Sequence, residues 1–252
     1  MIDLTPLLAM GLLLVRPGTL ILASPTFGGV YAPAQVKIGL TLFLALALLP
    51  VAAVPQTGSP VLLTILVARE MAIGVALALA IRVLVSAAEF AGNLAGFQMG
   101  LSYSAIIDPA SGVRNNVLSM LYGNVAMVTF LVTNAHHAFL RALRDSYESL
   151  PIGAGQVGAS LPQAIIGMLA IVFTFGARLA APMVVVLVVT ELALGLIARS
   201  APALNLMAVG SSVRLILGLV LLGFVAPAAV GVLSGMTGTV LQIGVRAAEA
   251  FR

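Results

Sequence analysis

The sequence predicts an all-α, polytopic membrane-type protein. Hydrophobic residues make up 61% of the 252 residues and charged residues only 8%, and the mean hydropathy is +1.18. A soluble domain does not need so much apolar surface, whereas apolar runs of about 20 residues match the length of one helical membrane crossing. No soluble segment or strong internal repeat interrupts the pattern, so we expect one domain over residues 1–252.

About six long apolar segments support this fold class. Proline and glycine clusters separate them, and two segments contain their own helix breakers. We expect Arg16-Pro17-Gly18 to break the first segment, and Pro182 to kink or split the fifth, which is too long for one straight span. The segments are about Leu4–Ser24, Val36–Val54, Val61–Ala88, Val117–Leu140, Leu161–Ala198 and Val213–Leu233.

Ionisable residues inside these apolar segments need partners. A charge at the centre of a bilayer costs about 2.5–3.5 kcal/mol on insertion scales. We therefore expect Glu70 and Glu191 to pair with basic groups on other helices or other subunits. The candidate buried charges or subunit contacts are Arg16, Glu70, Arg178, Glu191 and Arg199.

A semi-polar stretch at residues 89–116 separates the third and fourth segments. Its first half carries Gly92, Gly96 and Gly100 four residues apart, which predicts a bare helical stripe that packs closely against a partner subunit. Its second half cannot continue that helix, because Asp108-Pro109 starts a new helix and Ser111-Gly112 favours a turn. A plain connector between two spans is the alternative interpretation.

The chain lacks the patterns typical of enzymes and metal sites. His136 and His137 are consecutive, so they lie on different helical faces, and no Cys or carboxylate stands at ligand spacing. No nucleophile, zinc-protease or phosphate-loop motif occurs. We expect no catalysis, no cofactor, no metal and no nucleic-acid partner.

Nearly the whole chain resembles the FliR family of flagellar export-gate proteins and their counterparts in virulence-type injection systems. The resemblance is carried by GNLAGFQMGLS at 92–102 with DPAS at 108–111, and by ELALGLIAR at 191–199 with Ala201-Pro202 and Leu204-Asn205. Weaker matches include Arg16, Glu70 with Gly74, and His136. Two positions depart from the pattern: Ala135 stands where a glycine is expected, and Pro17 where an aliphatic residue is usual.

The resemblance implies a non-catalytic gate subunit that passes unfolded proteins across the bacterial inner membrane in the flagellar basal body. Such chains assemble as helical hairpins with FliP-like and FliQ-like subunits, partly toward the periplasmic side. They work with FlhB-like and FlhA-like proteins and a separate ATPase.

The resemblance also implies a pore plug in the loop from about Gly100 to Val113. The plug residues would be Gly100, Leu101, Ser102, Tyr103, Ser104, Ala105, Ile106, Ile107, Asp108 and Pro109.

Two alternatives remain open at this point. A secondary transporter of a small solute would also have broken helices and intramembrane charges, although it should show two related halves with matched breaks. The injection-system homologue of the same gate is the second alternative.

Overall fold

A computed structural model describes residues 5–29, 32–52, 60–101, 117–154, 158–200 and 206–251. The regular elements in these ranges are all α-helices, which agrees with the predicted fold class. They are α1 Thr5–Ala23, α2 Ala34–Leu48, α3 Pro60–Gln98, α4 Val117–Val132, α5 Ala135–Ser149, α6 Leu161–Ser200 and α7 Leu206–Glu249.

The chain divides into two compact units, whose boundaries fall within α3, α6 and α7 and between α4 and α5. The first unit comprises Met1–Val83, Asn134–Leu169 and Thr237–Arg252. The second comprises Leu84–Thr133 and Ala170–Met236.

The core of the first unit is built from α1, α3 and α5. Its fully buried side chains include Leu13, Ile21, Ile73, Leu77 and Leu143. A close approach of α1 and α3 occurs at Gly74, where an added Cβ would fall on Thr19 Oγ1 and lie 2.6 Å from the carbonyl oxygen of Arg16. A side chain at residue 74 would therefore push α1 away from α3.

Helix α5 has a different composition from the rest of the chain. Its buried residues recur every three or four positions, and Arg144 and Glu148 form an exposed ion pair on its other side. This spacing is typical of an amphipathic helix with one apolar stripe. The buried stripe consists of Ala135, Phe139, Leu143, Ser146 and Tyr147.

The core of the second unit is lined by small residues of α3. Ala87, Ala88, Ala91 and Ala95 are fully buried there. Helix α6 approaches them closely, because a Cβ at Gly176 would lie 2.8 Å from the carbonyl oxygen of Ala87.

Aromatic contacts complete the core of the second unit. Phe90 and Phe173 stack edge to face at 5.3 Å. Tyr122 Oη donates to Met183 Sδ at 3.4 Å.

Three helices in the described ranges, α3, α6 and α7, are long and apolar enough to cross a membrane, and there are four such spans if α4 and α5 count as one. The most apolar window of α3 is 67% buried within the chain. The corresponding windows of α6 and α7 are only 17% and 11% buried. Helix α3 is therefore a core helix, whereas α6 and α7 need cover from outside the chain.

Several predicted segment boundaries were wrong. The segment Val117–Leu140 is interrupted, because the chain leaves the helical conformation at Asn134 with φ 55°. Asparagine tolerates this left-handed conformation better than most residues do. Conversely, the predicted end at Leu233 is passed without interruption, since α7 continues to Glu249.

The predicted break at Pro17 was wrong, and of the two outcomes predicted at Pro182, a kink or a split, the split does not occur. Helix α1 runs through Pro17, and α6 runs through Pro182 as one helix of 40 residues. A proline in a helix leaves one carbonyl, four residues earlier, without its usual donor, but neighbouring groups can replace that donor.

At Pro17 the replacement donor is present. The carbonyl that Pro17 leaves without a backbone donor belongs to Leu13, which is fully buried. Tyr147 Oη of α5 donates to this oxygen at 3.1 Å. A tertiary contact therefore satisfies the carbonyl and allows α1 to continue.

This contact generates a double-mutant prediction. Tyr147→Phe should lower the free energy of unfolding by about 1–3 kcal/mol, because it leaves the buried Leu13 oxygen unsatisfied. In a Pro17→Ala background the restored backbone N–H can bond that oxygen, so the same change should cost much less. Unfolding of the four variants in detergent measures the coupling. Equal costs in the two backgrounds would show that Tyr147 does not substitute for the missing donor.

Candidate functional site

Arg16 is the centre of a buried polar cluster in the first unit. Its side chain lies on α1 and has 0% exposure. A guanidinium has five N–H donors and no acceptor. It can be buried without leaving a donor unsatisfied only if all five N–H groups reach an acceptor. The structure supplies all five: Nε to Glu70 Oε2 at 2.7 Å, Nη2 to Glu70 Oε1 at 3.2 Å and to Leu150 O at 3.0 Å, and Nη1 to Ser146 O at 2.8 Å and Ser146 Oγ at 2.9 Å.

Glu70 supplies the opposite charge from α3. Its side chain is 1% exposed, and its two oxygens accept in parallel from Nε and Nη2 of Arg16. Paired bonds of this kind are charge-assisted and fix the orientation of both groups. The pair joins α1 to α3 within one chain.

The other three acceptor atoms belong to two residues at the C-terminal end of α5. The carbonyls of Ser146 and Leu150 both accept from Arg16. The last carbonyls of a helix lack intrahelical partners, and the C-terminal end carries a partial negative charge that favours a cation. Arg16 therefore caps α5 while it pairs with Glu70.

The ring of Tyr147 covers the guanidinium. The Arg16 Cζ atom lies 4.1 Å from the ring centroid, a distance that permits a cation–π interaction. Since every N–H of Arg16 is occupied, the cluster has no donor left for a substrate or ligand. The cluster therefore has a structural role, which is to hold α1, α3 and α5 together.

The other three candidate charges lie in the second unit and are exposed on the chain: Arg178, Glu191 and Arg199. Glu191 Oε1 accepts from Arg214 Nη1 at 3.2 Å, and its side chain remains 56% exposed. The Cζ atom of Arg178 lies 5.5 Å from the Phe175 ring centroid. Subunit contacts at these three positions remain predictions.

Gly92 of the predicted glycine stripe allows two backbones to meet. A Cβ there would lie 2.5 Å from Leu118 O and 2.6 Å from Ser119 Cα of α4. At this glycine the close neighbour is a helix of the same chain. Gly96 is also buried, and Gly100 is half-buried. Packing of the stripe against a partner subunit remains a prediction.

Gly100 ends α3. Its φ of 81° lies in the left-handed region that favours glycine. The Leu101 N–H donates to Gly96 O at 2.9 Å, and the Gly100 N–H donates to Phe97 O at 3.0 Å. These two bonds form a Schellman motif, which satisfies the last carbonyls of the helix. Residues 102–113, which include the predicted plug residues from Ser102 to Pro109, lie outside the described residues.

Sequence reasoning missed two residues that matter in these sites. Tyr147 was missed, although the carbonyl left without a donor by Pro17 signals the need for one. Arg214 was missed as the partner of Glu191, because the 23 residues that separate them give no local signal.

The Arg16 cluster predicts that lysine cannot replace this arginine. Lysine has three donors at one point, so Arg16→Lys leaves acceptors of Glu70, Ser146 or Leu150 unsatisfied. We expect a loss of about 1–3 kcal/mol in the free energy of unfolding for each buried acceptor that is left without a donor. Arg144→Lys is the matched control, since the exposed pair with Glu148 should contribute less than about 1 kcal/mol. Unfolding in detergent measures both, and equal effects would contradict the role of Arg16.

Comparison with known proteins shows the family. Residues 7–240 match the sequence profile of the family described as "Bacterial export proteins, family 1". The chain is 31% identical over 217 residues to "Flagellar biosynthetic protein FliR" of Escherichia coli (strain K12), covering 85% of this chain and 82% of that protein. It is 28% identical over 229 residues to the protein of the same name in Bacillus subtilis (strain 168), covering 88% and 86%.

A relative with a different name matches a shorter region. "Surface presentation of antigens protein SpaR" of Shigella flexneri is 27% identical over 128 residues, or 51% of this chain and 49% of that protein. The profile match covers most of the chain, and the match to the Escherichia coli protein covers more than two thirds of both chains. The chain therefore belongs to family 1 of the bacterial export proteins, the family of the flagellar FliR proteins.

Proposed function

We propose that this chain is a non-catalytic subunit of the flagellar type III protein export gate, and that it forms the export channel with FliP-like and FliQ-like subunits. The family assignment and the coverage of flagellar relatives over more than 80% of their length support this proposal. The structural observation that carries it is the combination of apolar exposure and charge on α6.

Helix α6 is unsuited to full contact with lipid. Its most apolar window is 17% buried, yet Arg178, Glu191 and Arg199 lie exposed along the helix. Charges within the bilayer core are costly unless protein or water surrounds them. Neighbouring subunits around a water-filled path would cover the apolar residues and solvate the charges.

The remaining parts of the proposal follow from this role. The gate lies in the bacterial inner membrane at the flagellar basal body, with part of it toward the periplasmic side. Unfolded exported proteins are the substrate, and FlhA-like and FlhB-like proteins are neighbours. This chain contributes no cofactor and no catalytic group.

The homologous gate of an injection system is the second candidate. The match to SpaR favours it, but that match covers about half of each chain, whereas the flagellar matches cover most of theirs. A small-solute transporter lacks a comparable observation in its favour.

The experiment is removal of this chain from the bacterium that makes it. Secretion of flagellar proteins should fall to background, and re-expression of the chain should restore it. Immunoblots of the culture medium and electron microscopy of filaments measure the two effects, with Arg144→Lys as a complementing control. Normal filaments combined with lost secretion of injected proteins would favour the second candidate. Lost uptake of a solute with normal secretion would contradict both gate proposals.

We also propose that the loop from Gly100 to Val113 is the pore plug. The Schellman motif at Gly100 fixes the direction in which the chain leaves α3, and so provides one anchored end. Leu101, Tyr103, Ile106 and Ile107 are apolar enough to exclude water from a narrow pore. The loop thus combines an anchored base with an apolar middle.

The plug proposal predicts separate effects on sealing and on assembly. Deleting Ser104 to Ile107 should leave the gate assembled but leaky to ions and small solutes. Replacing the same four residues by Gly-Ser-Gly-Ser keeps the length and removes the apolar groups, so it should leak as well. Small-solute leakage in cells with an otherwise intact gate is the measurement. If both assembled variants are as impermeable as the parent, closure resides elsewhere.

A further inference from the structure

Helix α4 has an exposed face with the spacing of a helix-pairing seam. Its residues Val117, Leu121, Asn124, Val128 and Leu131 follow one another at intervals of four, three, four and three, and all five are exposed. This alternation repeats every seven residues, the pattern by which one helix packs along another at a small crossing angle. The opposite face of α4 is already buried in the second unit through Leu118, Tyr122 and Ala126 among others.

The middle of this seam is polar. Asn124 is the eighth of the 16 residues of α4, and the other four seam residues are aliphatic. Its amide makes no hydrogen bond with the residues that the structure describes. An amide that enters an apolar environment without a partner costs roughly 1–3 kcal/mol by protein mutational data.

A groove runs beside the seam. Val125 and Val128 of α4 and Thr133, which follows α4, line one wall, and Val230 of α7 lines the other. The volume of the groove is about 390 Å³. The hydroxyls of Thr129 and Thr133 donate to carbonyls of α4, so they do not need a hydrogen-bond partner from outside the chain. The groove is therefore apolar apart from the Asn124 amide.

We propose that the α4 seam docks one helix of another protein subunit, apolar along the contact and carrying a polar side chain opposite Asn124. A lipid chain would fill the groove but offers the amide no donor or acceptor. A polar side chain on a neighbouring helix can hydrogen-bond the amide. A single asparagine in a heptad seam also sets the register of the two helices. The inference rests on the proposed function, because that function supplies the neighbouring subunits.

The first test measures the role of the amide. Asn124→Leu should weaken co-purification of partner subunits about three- to twentyfold, which corresponds to about 0.6–1.7 kcal/mol per interhelical hydrogen bond. Asn124→Gln keeps an amide and should recover part of the loss. Met127→Leu changes a half-buried residue on the same helix outside the seam and is the control. Since Asn124 makes no hydrogen bond with any residue in the described ranges, we expect unfolding of the isolated chain to be unchanged in Asn124→Leu.

The second test identifies the occupant. The chain contains no cysteine, so Val128→Cys introduces a single thiol on the seam that can carry a photo-crosslinker. In gates purified from membranes, we expect the adduct to be a different protein chain, identified by mass spectrometry. An adduct with lipid alone, or with a second copy of this chain, would overturn the inference, as would wild-type assembly of Asn124→Leu.

The two proposals fail in different ways. If the unmodified chain purifies without other export subunits, the proposed function fails, and the docking inference fails with it. If the unmodified chain assembles but the seam adduct is lipid, only the docking inference fails.

Discussion

The first unit depends on the complete satisfaction of one buried guanidinium. Arg16 has no exposed surface, and each of its five donors has an acceptor within 3.2 Å. Two acceptors are the oxygens of Glu70 and the other three belong to Ser146 and Leu150, so one side chain joins α1, α3 and the end of α5. Removing any one acceptor leaves a donor or a charge unsatisfied in the protein interior. The low dielectric there makes the free-energy cost of an unsatisfied polar group large. The cluster therefore specifies how these three helices meet.

Proline and arginine act together in this cluster. Pro17 leaves the carbonyl of Leu13 without a backbone donor, and the same Tyr147 that covers Arg16 donates to it. An aliphatic residue at position 17 would not need that donor. Tyr147 thus explains how α1 continues through Pro17 as one helix.

In the second unit the candidate charges are exposed, in contrast to the buried cluster of the first unit. Gly92 of α3 lets α4 approach its backbone, and Gly176 of α6 lets α6 approach the backbone of α3 at Ala87. Helices α6 and α7 keep most of their apolar surface exposed, and Glu191 and Arg214 pair on that exposed surface. In this chain the charges of Arg16 and Glu70 are buried and satisfied internally, whereas Arg178, Glu191 and Arg199 are exposed.

The sequence alone determined the fold class, the need for charge partners and the end of α3. Composition and the length of apolar runs predict membrane-type helices, and glycine at residue 100 permits the left-handed conformation that ends a helix. Only the tertiary structure decided that Glu70 pairs with Arg16, 54 residues away, because an apolar run shows that a charge needs a partner but not which one. It also decided that Pro17 and Pro182 do not end their helices and that Asn134 interrupts another. At Pro17 the physical reason is that helix propensity reflects only the local backbone, in which the proline N–H is missing. The Tyr147 hydroxyl that replaces this donor comes from another helix, so the local sequence does not reveal it.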